Sequence, residues 1–373
     1  MHISPFKVEE WMNAYETQAS INIAETCVNS VSLDELFALI GEDKQRFFDE
    51  FSARRLTYGD IVGMPALREG ICDLYQTLKA NNVVTTHGAA GANHLAMYAL
   101  VGPGDHVISV TPTYQQLYSI PQSFGAEVSL LPLREENGFL PDLDDLRRLI
   151  RPNTRLICIN NPNNPTGALM DRGMLESIVT LARECGAYIL CDEVYRHLTQ
   201  TDAWSDSIVD LYEKGISIGS MSKVFSLAGL RLGWVASRDE AFINACLSRR
   251  DYSIISCGMF DEAVSTLALR HAGVLLARNR GIVRENLAVM TEWAEHEKRI
   301  HFVRPQAGTT ALLFYDSPMP SLFFCEKLLA QTGALLTPGE CFDLEGCARI
   351  GYACGKEELK AGISAISAFM DTL

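Results

Sequence analysis

The chain has 373 residues, 47% of them hydrophobic and 21% charged, which is typical of a folded enzyme and excludes a disordered chain. One hydrophobic core stops growing below this length, so we expect one large and one smaller domain with a cleft between them. The net charge of -14 disfavours nucleic acid and anionic lipid as partners. No stretch is apolar over the roughly 18 residues that a membrane span needs, so we expect no membrane association.

The 11 cysteines are scattered and form no Cys-x-x-Cys pair and no Cys/His set with metal-ligand spacing. We therefore expect reduced thiols, no disulfide framework and no metal site. The first ten residues are polar and acidic and lack the apolar core of a secretory signal. A cytoplasmic location fits both features best.

The N-terminal region predicts two helices with an irregular stretch between them. Residues 6–17 are amphipathic at helical spacing, and Ser32 with Glu35 forms the capping box that starts a second helix. The stretch 21–30 has no clear period and is a candidate loop over a site. Within it, Glu25 is a candidate contact for a cationic ligand, although a surface carboxylate is the simpler interpretation.

A glycine-containing turn precedes a helix that we expect to begin at Pro65 and to continue through Leu78. Residues 83–86 are β-branched and strand-like, and the small residues of 87–96 follow as a turn that opens an apolar helix. A helix N-terminus with small side chains suits a phosphate group. The signal is weak alone, because close helix packing explains small residues equally well and neither the dinucleotide nor the Walker pattern is present.

Four short apolar stretches, 106–110, 155–159, 188–191 and 216–219, alternate with helical patterns. This alternation predicts a mostly parallel sheet with helices on both faces, which binds ligands beyond the carboxyl ends of its strands. Polar residues follow those ends: Tyr114, Asn164, Asp192 with Tyr195, and the run from Ser220 to Lys223. We therefore expect them to meet in one crevice.

From about residue 275 onward, longer helices and short late strands replace the alternation. This change predicts a second, smaller domain. We place the large domain at residues 46–275 and build the small domain from both chain ends, residues 1–45 and 276–373. The predicted fold class is α/β, a mostly parallel central sheet flanked by helices, plus a smaller α+β domain.

Lys223 stands between small hydroxyl residues and shortly before Arg231. When an enclosing site lowers its pKa, a lysine can form a Schiff base with a carbonyl substrate or with the aldehyde of pyridoxal phosphate, whose phosphate an arginine would hold. Taken alone, Lys223 is more simply a solvated surface lysine. The other polar residues at the strand ends decide between the two interpretations.

Taken in chain order, the motifs match one known family. They are Tyr58, the turn Gly88-Ala89-Ala90, Tyr114, Asn163-Asn164-Pro165-Thr166-Gly167, Asp192-Glu193-Val194-Tyr195, Ser220-Met221-Ser222-Lys223, Arg231 and Arg349. This combination, which runs over essentially the whole chain, resembles the class I/II aminotransferases, pyridoxal-phosphate enzymes of fold type I. The resemblance implies pyridoxal 5′-phosphate as cofactor and an α-amino acid and a 2-oxo acid as substrates.

The resemblance also implies a role for each catalytic position. Lys223 matches the lysine that holds the cofactor as a Schiff base and moves protons, and Asp192 matches the carboxylate beneath the pyridine nitrogen. Tyr195 and Asn164 match the donors to the ring's O3′ oxygen, and Asn164 is also expected at the substrate. Tyr114 matches the aromatic residue stacked on the ring.

Phosphate contacts are implied for the family's glycine turn, hydroxyl residues and arginine, which here are Gly88, Ala89, Ala90, Ser220, Ser222 and Arg231. Tyr58 matches a tyrosine contributed across the interface of a homodimer. Arg349 matches the arginine that grips the substrate α-carboxylate with its planar fork.

Two features depart from the family pattern. Ala90 stands where many relatives have a hydroxyl residue, and residues 22–27 replace the usual glycine-containing N-terminal segment. In the stretches 86–88, 136–146 and 338–339 the layout resembles the capreomycidine-synthase-like branch, which can divert the same chemistry into cyclisation. We therefore rank an aminotransferase first, a lyase or cyclase of the same fold second, and a non-catalytic pyridoxal-phosphate sensor third.

Overall fold

A computed structural model describes residues 2–202 and 204–373. Within them the strands are β1 Ile21–Asn22, β2 Val83–His87, β3 His106–Thr111, β4 Glu127–Pro132, β5 Thr154–Asn160, β6 Tyr188–Asp192, β7 Gly215–Ser220, β8 Leu232–Ser237, β9 Ile300–His301, β10 Thr310–Tyr315, β11 Ala334–Leu335, β12 Thr337–Pro338 and β13 Cys347–Gly351.

The α-helices are α1 Lys7–Tyr15, α2 Leu33–Ile40, α3 Lys44–Ser52, α4 Pro65–Cys72, α5 Gly88–Leu100, α6 Gln116–Ser123, α7 Leu143–Leu149, α8 Arg172–Cys185, α9 Ile208–Leu211, α10 Glu240–Arg250, α11 Met259–Arg270, α12 Ala272–His296, α13 Ser321–Thr332 and α14 Lys356–Met370. No helix in the described part of the chain combines the length and the apolar character that crossing a bilayer requires.

Seven strands form the central sheet, in the order β2-β8-β7-β6-β5-β3-β4. The strands from β3 to β7 run parallel, and β8 runs antiparallel to both of its neighbours. As a result, β8 begins at the same edge at which β2 and the parallel strands end. This geometry brings the residues just before β8 next to those just after the parallel strands.

Apolar side chains cover both faces of the central sheet, which explains why its strands read as continuous apolar runs. On one face Leu190 and Ile218 belong to a buried cluster that includes residues of α5 and α10. On the other face Ile157 and Ile189 belong to a cluster that includes residues of α8. The sheet is thus packed from both sides, and its carboxyl edge is a fixed platform for side chains.

A second, antiparallel sheet has the order β12-β13-β10-β9, and β1 pairs in parallel with β11. The largest buried apolar cluster joins residues of both chain ends, among them Trp11 of α1 and Phe369 of α14. The same cluster contains Phe225 and Trp234 beside the central sheet. The domain division near residues 45 and 275 stays a prediction, since apolar packing crosses it.

The predicted helix signals are confirmed at two places and wrong at one. Ser32 and Glu35 form the capping box of α2, and Pro65 occupies the first turn of α4. However, α4 ends at Cys72 and does not continue to Leu78. The Asp210 carboxylate accepts the backbone N–H groups of the residues that follow, 76 and 77, so these groups are not available to helical carbonyls.

Candidate functional site

A cavity of about 280 Å³ opens at the carboxyl edge of the central sheet. Its floor is formed by residues that end β5, β6 and β7, and one corner lies at the start of α5. The opposite wall comes from α1, from residues 24–26 and from β13. The cavity therefore lies between the strand ends and the segments contributed by the two chain ends.

Asp192 is the last residue of β6 and forms part of the floor. Asn93 of α5 donates its Nδ2–H to Asp192 Oδ2 at 2.9 Å, and the backbone N–H of Val194 donates to Oδ1 at 3.2 Å. Burial raises the pKa of Asp192 to about 6, although both hydrogen bonds oppose the rise. The two hydrogen bonds thus orient the carboxylate but do not offset the cost of burying its charge. A cation beside it would favour the charged form.

Lys223 follows β7 closely and is reached from the opposite wall by residues 26 and 27. Its Nζ donates to Thr26 Oγ1 at 2.7 Å and lies 3.4 Å from Cys27 Sγ. Burial alone would lower the pKa of Lys223, but the interactions with Cys27 and Tyr195 outweigh burial, so the pKa is raised. The free amine of Lys223 is thus held by a hydroxyl and a thiol of the opposite wall.

The corner at the start of α5 combines a cation, backbone N–H groups and two hydroxyls. Arg231 comes directly before β8 and donates its Nη1–H to the carbonyl of Ala228 at 2.9 Å. Gly88 has a φ of 66°, and a Cβ atom there would lie 2.9 Å from Arg231 Nη2, so glycine leaves room for the guanidinium. Ser220 and Ser222 line the same cavity. This set of donors suits a phosphate group.

Hydrogen bonds between the ends of β5 and β6 fix the side chains beside Asp192. The backbone N–H of Asn164 donates to Asn160 Oδ1 at 2.6 Å, and Asn160 Nδ2 donates to the backbone carbonyl of Asp192 at 2.8 Å. Tyr195 is almost fully buried and lines the same cavity. The Asn160 side chain and the Asn164 backbone are therefore held in place before any ligand arrives.

Tyr114 links the floor to the N-terminal helix. Its hydroxyl donates to Glu9 Oε1 of α1 at 2.7 Å, and its ring centroid lies 4.7 Å from that of Phe6. Burial, together with the Glu9 charge, raises the pKa of Tyr114. Both contacts come from the beginning of the N-terminal helix, so Tyr114 ties that helix to the strand-end side of the cavity.

Arg349 of β13 is a buried cation, with a side chain and backbone only 3% exposed. Its Nη2 donates to the Ala24 carbonyl at 2.9 Å and to Thr337 Oγ1 at 3.0 Å, and its Nη1 donates to Asn164 Oδ1 at 3.2 Å. Its Nε has no hydrogen-bond partner in the described chain, where no carboxylate forms an ion pair with it either. Burial lowers its pKa. A buried guanidinium whose partners are all neutral suits an anionic ligand.

Three exposed carboxylates line the wall opposite the floor: Glu9 of α1, Glu16 directly after α1, and Glu25 of the segment 24–26. We call these three residues the acidic rim. Within residues 2–202 and 204–373, none of the three forms an ion pair with a lysine, arginine or histidine. The acidic rim therefore presents uncompensated negative charge to molecules that enter the cavity.

The structure brings most of the predicted site residues together. Those that line the cavity are Glu25, Ala89, Ala90, Tyr114, Asn164, Asp192, Tyr195, Ser220, Ser222, Lys223, Arg231 and Arg349. Gly88 adjoins the cavity through its contact with Arg231. Tyr58 does not line it, and within a single chain this residue is 71% exposed.

Sequence reasoning missed several residues of the site, among them Glu9, Thr26 and Asn93. Asn93 carried a usable signal in the sequence, because it is a polar residue within a largely apolar helix. The structure shows that it is fully buried, where a polar group needs a partner. The contacts of the other two join positions 105 and 197 residues apart in the chain. Such contacts depend on the tertiary fold and have no local pattern.

The fold and the cavity together define a pyridoxal-phosphate enzyme of fold type I. The side chains fit this cofactor, because Asp192 can face a protonated ring nitrogen, Lys223 can meet an aldehyde, and Arg231 with the start of α5 can hold a phosphate. The chain belongs to the aminotransferase class I and II family, whose model matches residues 28–366. It is a pyridoxal-phosphate-dependent aminotransferase, which moves an amino group between an α-amino acid and a 2-oxo acid.

Individual relatives cover nearly the whole chain. Capreomycidine synthase of Streptomyces vinaceus is 34% identical over 98% of this chain and 93% of its own length. An aspartate aminotransferase of Pyrococcus horikoshii is 32% identical over 81% of this chain and 80% of its own. A crystal structure of a PLP-dependent aminotransferase from Streptococcus suis is 46% identical, with a TM-score of 0.97 over 100% of this chain and 99% of that one.

Proposed function

We propose that this cavity binds pyridoxal 5′-phosphate through Lys223 and transfers amino groups at that position. The observation that carries the proposal is that one cavity is lined by a lysine, a buried arginine and a buried carboxylate, namely Lys223, Arg349 and Asp192. A cation for the substrate's carboxylate and an amine for the cofactor's aldehyde are the two groups that this reaction needs most.

When bound, the cofactor would supply an aldehyde for the substrate's amino group and a ring that withdraws electrons from the substrate's Cα. Asp192 would place a negative charge against the ring nitrogen and keep it protonated. Lys223 would accept the Cα proton and return it. Tyr195 would donate its hydroxyl to the ring's O3′ oxygen. Asn164 accepts from Arg349 through Oδ1, which leaves its Nδ2–H as the donor to the same oxygen.

The phosphate would be held at the start of α5 and at the β7–β8 connection. The backbone N–H groups of residues 88–90 and the positive end of the helix dipole would attract it there. Arg231, Ser220 and Ser222, which line the cavity, would add a cation and two hydroxyls. Tyr114 would offer an aromatic face to the ring.

Arg349 binds the α-carboxylate of the substrate. Among the described residues, its guanidinium donates only to neutral oxygens, and a carboxylate would offer it a charge-assisted, two-point contact. Asn164 lies within reach of the same group. The fork fixes the substrate's orientation, and with it the direction of the Cα–H bond relative to Lys223.

The acidic rim gives a preference for substrates whose side chains carry positive charge, with Glu25 as one contact. The backbone carbonyl of Ala24, the residue before Glu25, accepts from Arg349, and both Glu25 and Arg349 line the cavity. An ammonium or guanidinium side chain reaching the rim gains attraction that a neutral one lacks.

A labelling experiment tests the assignment of Lys223. The purified protein is expected to absorb as a lysine-bound pyridoxal phosphate, and borohydride should fix the label on the peptide that contains Lys223. Amino-group exchange from a panel of amino acids to pyruvate or 2-oxoglutarate tests the reaction. A label on another lysine, or no exchange with any amino acid of the panel, would contradict the proposal.

A second candidate function is cyclisation or elimination on the same cofactor. It is favoured by the similarity to capreomycidine synthase over 98% of this chain. Product analysis separates the two functions, because a lyase or cyclase releases ammonia or a ring-closed amino acid from a basic substrate without needing a 2-oxo acid.

The working enzyme is a cytoplasmic homodimer in which Tyr58 completes the neighbouring site. Its large domain comprises residues 46–275, and its small domain combines residues 1–45 with residues 276–373. Leu56, Tyr58 and Ile61 form an exposed apolar run, which supports an interface at this segment. Sedimentation of the wild type and of Tyr58→Phe tests the assembly. Mixing Tyr58→Phe with an inactive Lys223→Ala protein should restore activity only if each site takes Lys223 from one subunit and Tyr58 from the other.

A further inference from the structure

Residues 22–29 contact two key groups of the cavity at once. The Ala24 carbonyl accepts from Arg349 at 2.9 Å, and two residues later Thr26 Oγ1 accepts from Lys223 Nζ at 2.7 Å. One short segment thus reaches both the amine of Lys223 and the guanidinium of Arg349.

The backbone around Thr26 is fixed independently of Lys223. The Gly351 N–H donates to the Ile23 carbonyl at 2.8 Å, and Thr309 Oγ1 donates to the Thr26 carbonyl at 2.7 Å. A Cβ atom at residue 351 would collide with the Glu25 carbonyl, so glycine permits this close approach. Thr26 itself is buried. Its hydroxyl is thus presented to the cavity from a rigid support.

We propose that Thr26 is a positioning residue for Lys223, whose hydroxyl holds the lysine amine at the cavity wall whenever that amine is not covalently bound. The inference rests on the proposed role of Lys223. A free lysine side chain has many rotamers, and a fixed acceptor confines its amine to one place from which it can take and return a proton. The charged or titratable groups around the amine are Cys27, Tyr195, Arg349 and Asp192.

Competitive acetylation of the cofactor-free protein tests the contact without any catalysis. Trace labelling with acetic anhydride between about pH 8 and 11, read by mass spectrometry of the Lys223 peptide, reports the pKa of that amine. Thr26→Val removes the acceptor of the protonated amine, so labelling should be several-fold faster below the pKa. Thr26→Ser keeps the hydroxyl and should restore the wild-type profile.

The holoenzyme gives a second readout. Thr26→Val should lower kcat about tenfold, the effect of one hydrogen bond to a charged group, and leave KM nearly unchanged. Thr26→Ser should recover most of this loss. An unchanged acetylation profile in Thr26→Val, or a Thr26→Ser protein as impaired as Thr26→Val, would overturn the proposal, as would a larger effect from Cys27→Ala than from Thr26→Val.

The two proposals fail in different ways. If Lys223 does not carry the cofactor, borohydride labels another residue, while the acetylation profile of Lys223 still responds to Thr26. If only the role of Thr26 is wrong, the borohydride label stays on Lys223 and the acetylation profiles of the variants coincide.

Discussion

The floor of the cavity and its acidic rim are built in opposite ways. On the floor, Asp192 and Asn164 are buried at or shortly after strand ends, and Asn160 links them through hydrogen bonds of 2.6 and 2.8 Å that involve backbone groups. On the rim, Glu16 and Glu25 are exposed and belong to segments from the N-terminal end. A fixed floor suits the chemistry that is common to all amino-acid substrates. An exposed rim suits contact with the substrate's side chain, which differs from one amino acid to another.

The largest expected effect lies on the floor. Lys223→Ala removes the amine that holds the cofactor and moves the proton, so kcat should fall on the order of 10⁴-fold or more. Initial rates with the best amino acid of a panel measure this. Lys327→Ala, at an exposed position of α13, should keep wild-type rates. Residual activity within tenfold of wild type would remove Lys223 from its assigned role.

Arg349→Ala should have the next largest effect. It removes the carboxylate's partner from a buried site, and kcat/KM should fall by about 10²- to 10³-fold. Arg349→Lys keeps the charge but not the planar fork, and it should recover only part of this loss. Steady-state kinetics with an amino acid and with its carboxamide separate the contributions, since the carboxamide should be almost insensitive to the substitution.

Replacing Asp192 should raise the stability of the cofactor-free protein and lower its activity. The folded protein keeps the Asp192 proton up to a pKa of about 6, whereas the unfolded chain loses it near 3.8, so the free energy of unfolding falls as the pH rises between these values. Asp192→Asn should therefore stabilise the cofactor-free protein at pH 8 by up to about 3 kcal/mol, while lowering activity.

Urea unfolding at about pH 4 and pH 8 measures this, because the gain should be present only at the higher pH. Asp251→Asn, at an exposed position at the end of α10, should show no such difference. An Asp192→Asn protein no more stable than wild type at pH 8 would show that other groups compensate the carboxylate.

The smallest effect belongs to the rim. Glu25→Gln should lower kcat/KM for basic amino acids a few-fold and leave neutral ones unchanged, because an exposed charge is screened by solvent. Adding Glu16→Gln should extend the loss, and 0.5 M salt should reduce it. Glu10→Gln is the matched control, since Glu10 is an exposed residue of α1 that does not line the cavity. Equal losses for basic and neutral substrates would end the assignment of Glu25.

The floor could be predicted from the sequence because each of its residues follows a recognisable strand. Asp192, Tyr195 and Lys223 stand directly after apolar runs, and parallel strands must end at one edge. The opposite wall could not, because Thr26 reaches Lys223 and Glu9 reaches Tyr114 only through packing between the chain ends and the sheet. The end of α4 was mispredicted for a similar reason, since Asp210 lies far along the chain.

The hydrogen bonds that tie residues 22–29 to C-terminal residues also determine when the cavity can form during synthesis. Ala24 and its partner Arg349 are 325 positions apart, and Asn29 bonds the carbonyl of Ala353. During synthesis the ribosome releases the N-terminal segment long before β13, so the sheet and its polar floor can fold while the wall that carries Thr26 still lacks its support. The active site is therefore completed only after translation of the last strand. A chain interrupted before Arg349 can form the sheet and its polar floor, but residues 22–29 then lack their hydrogen-bond partners.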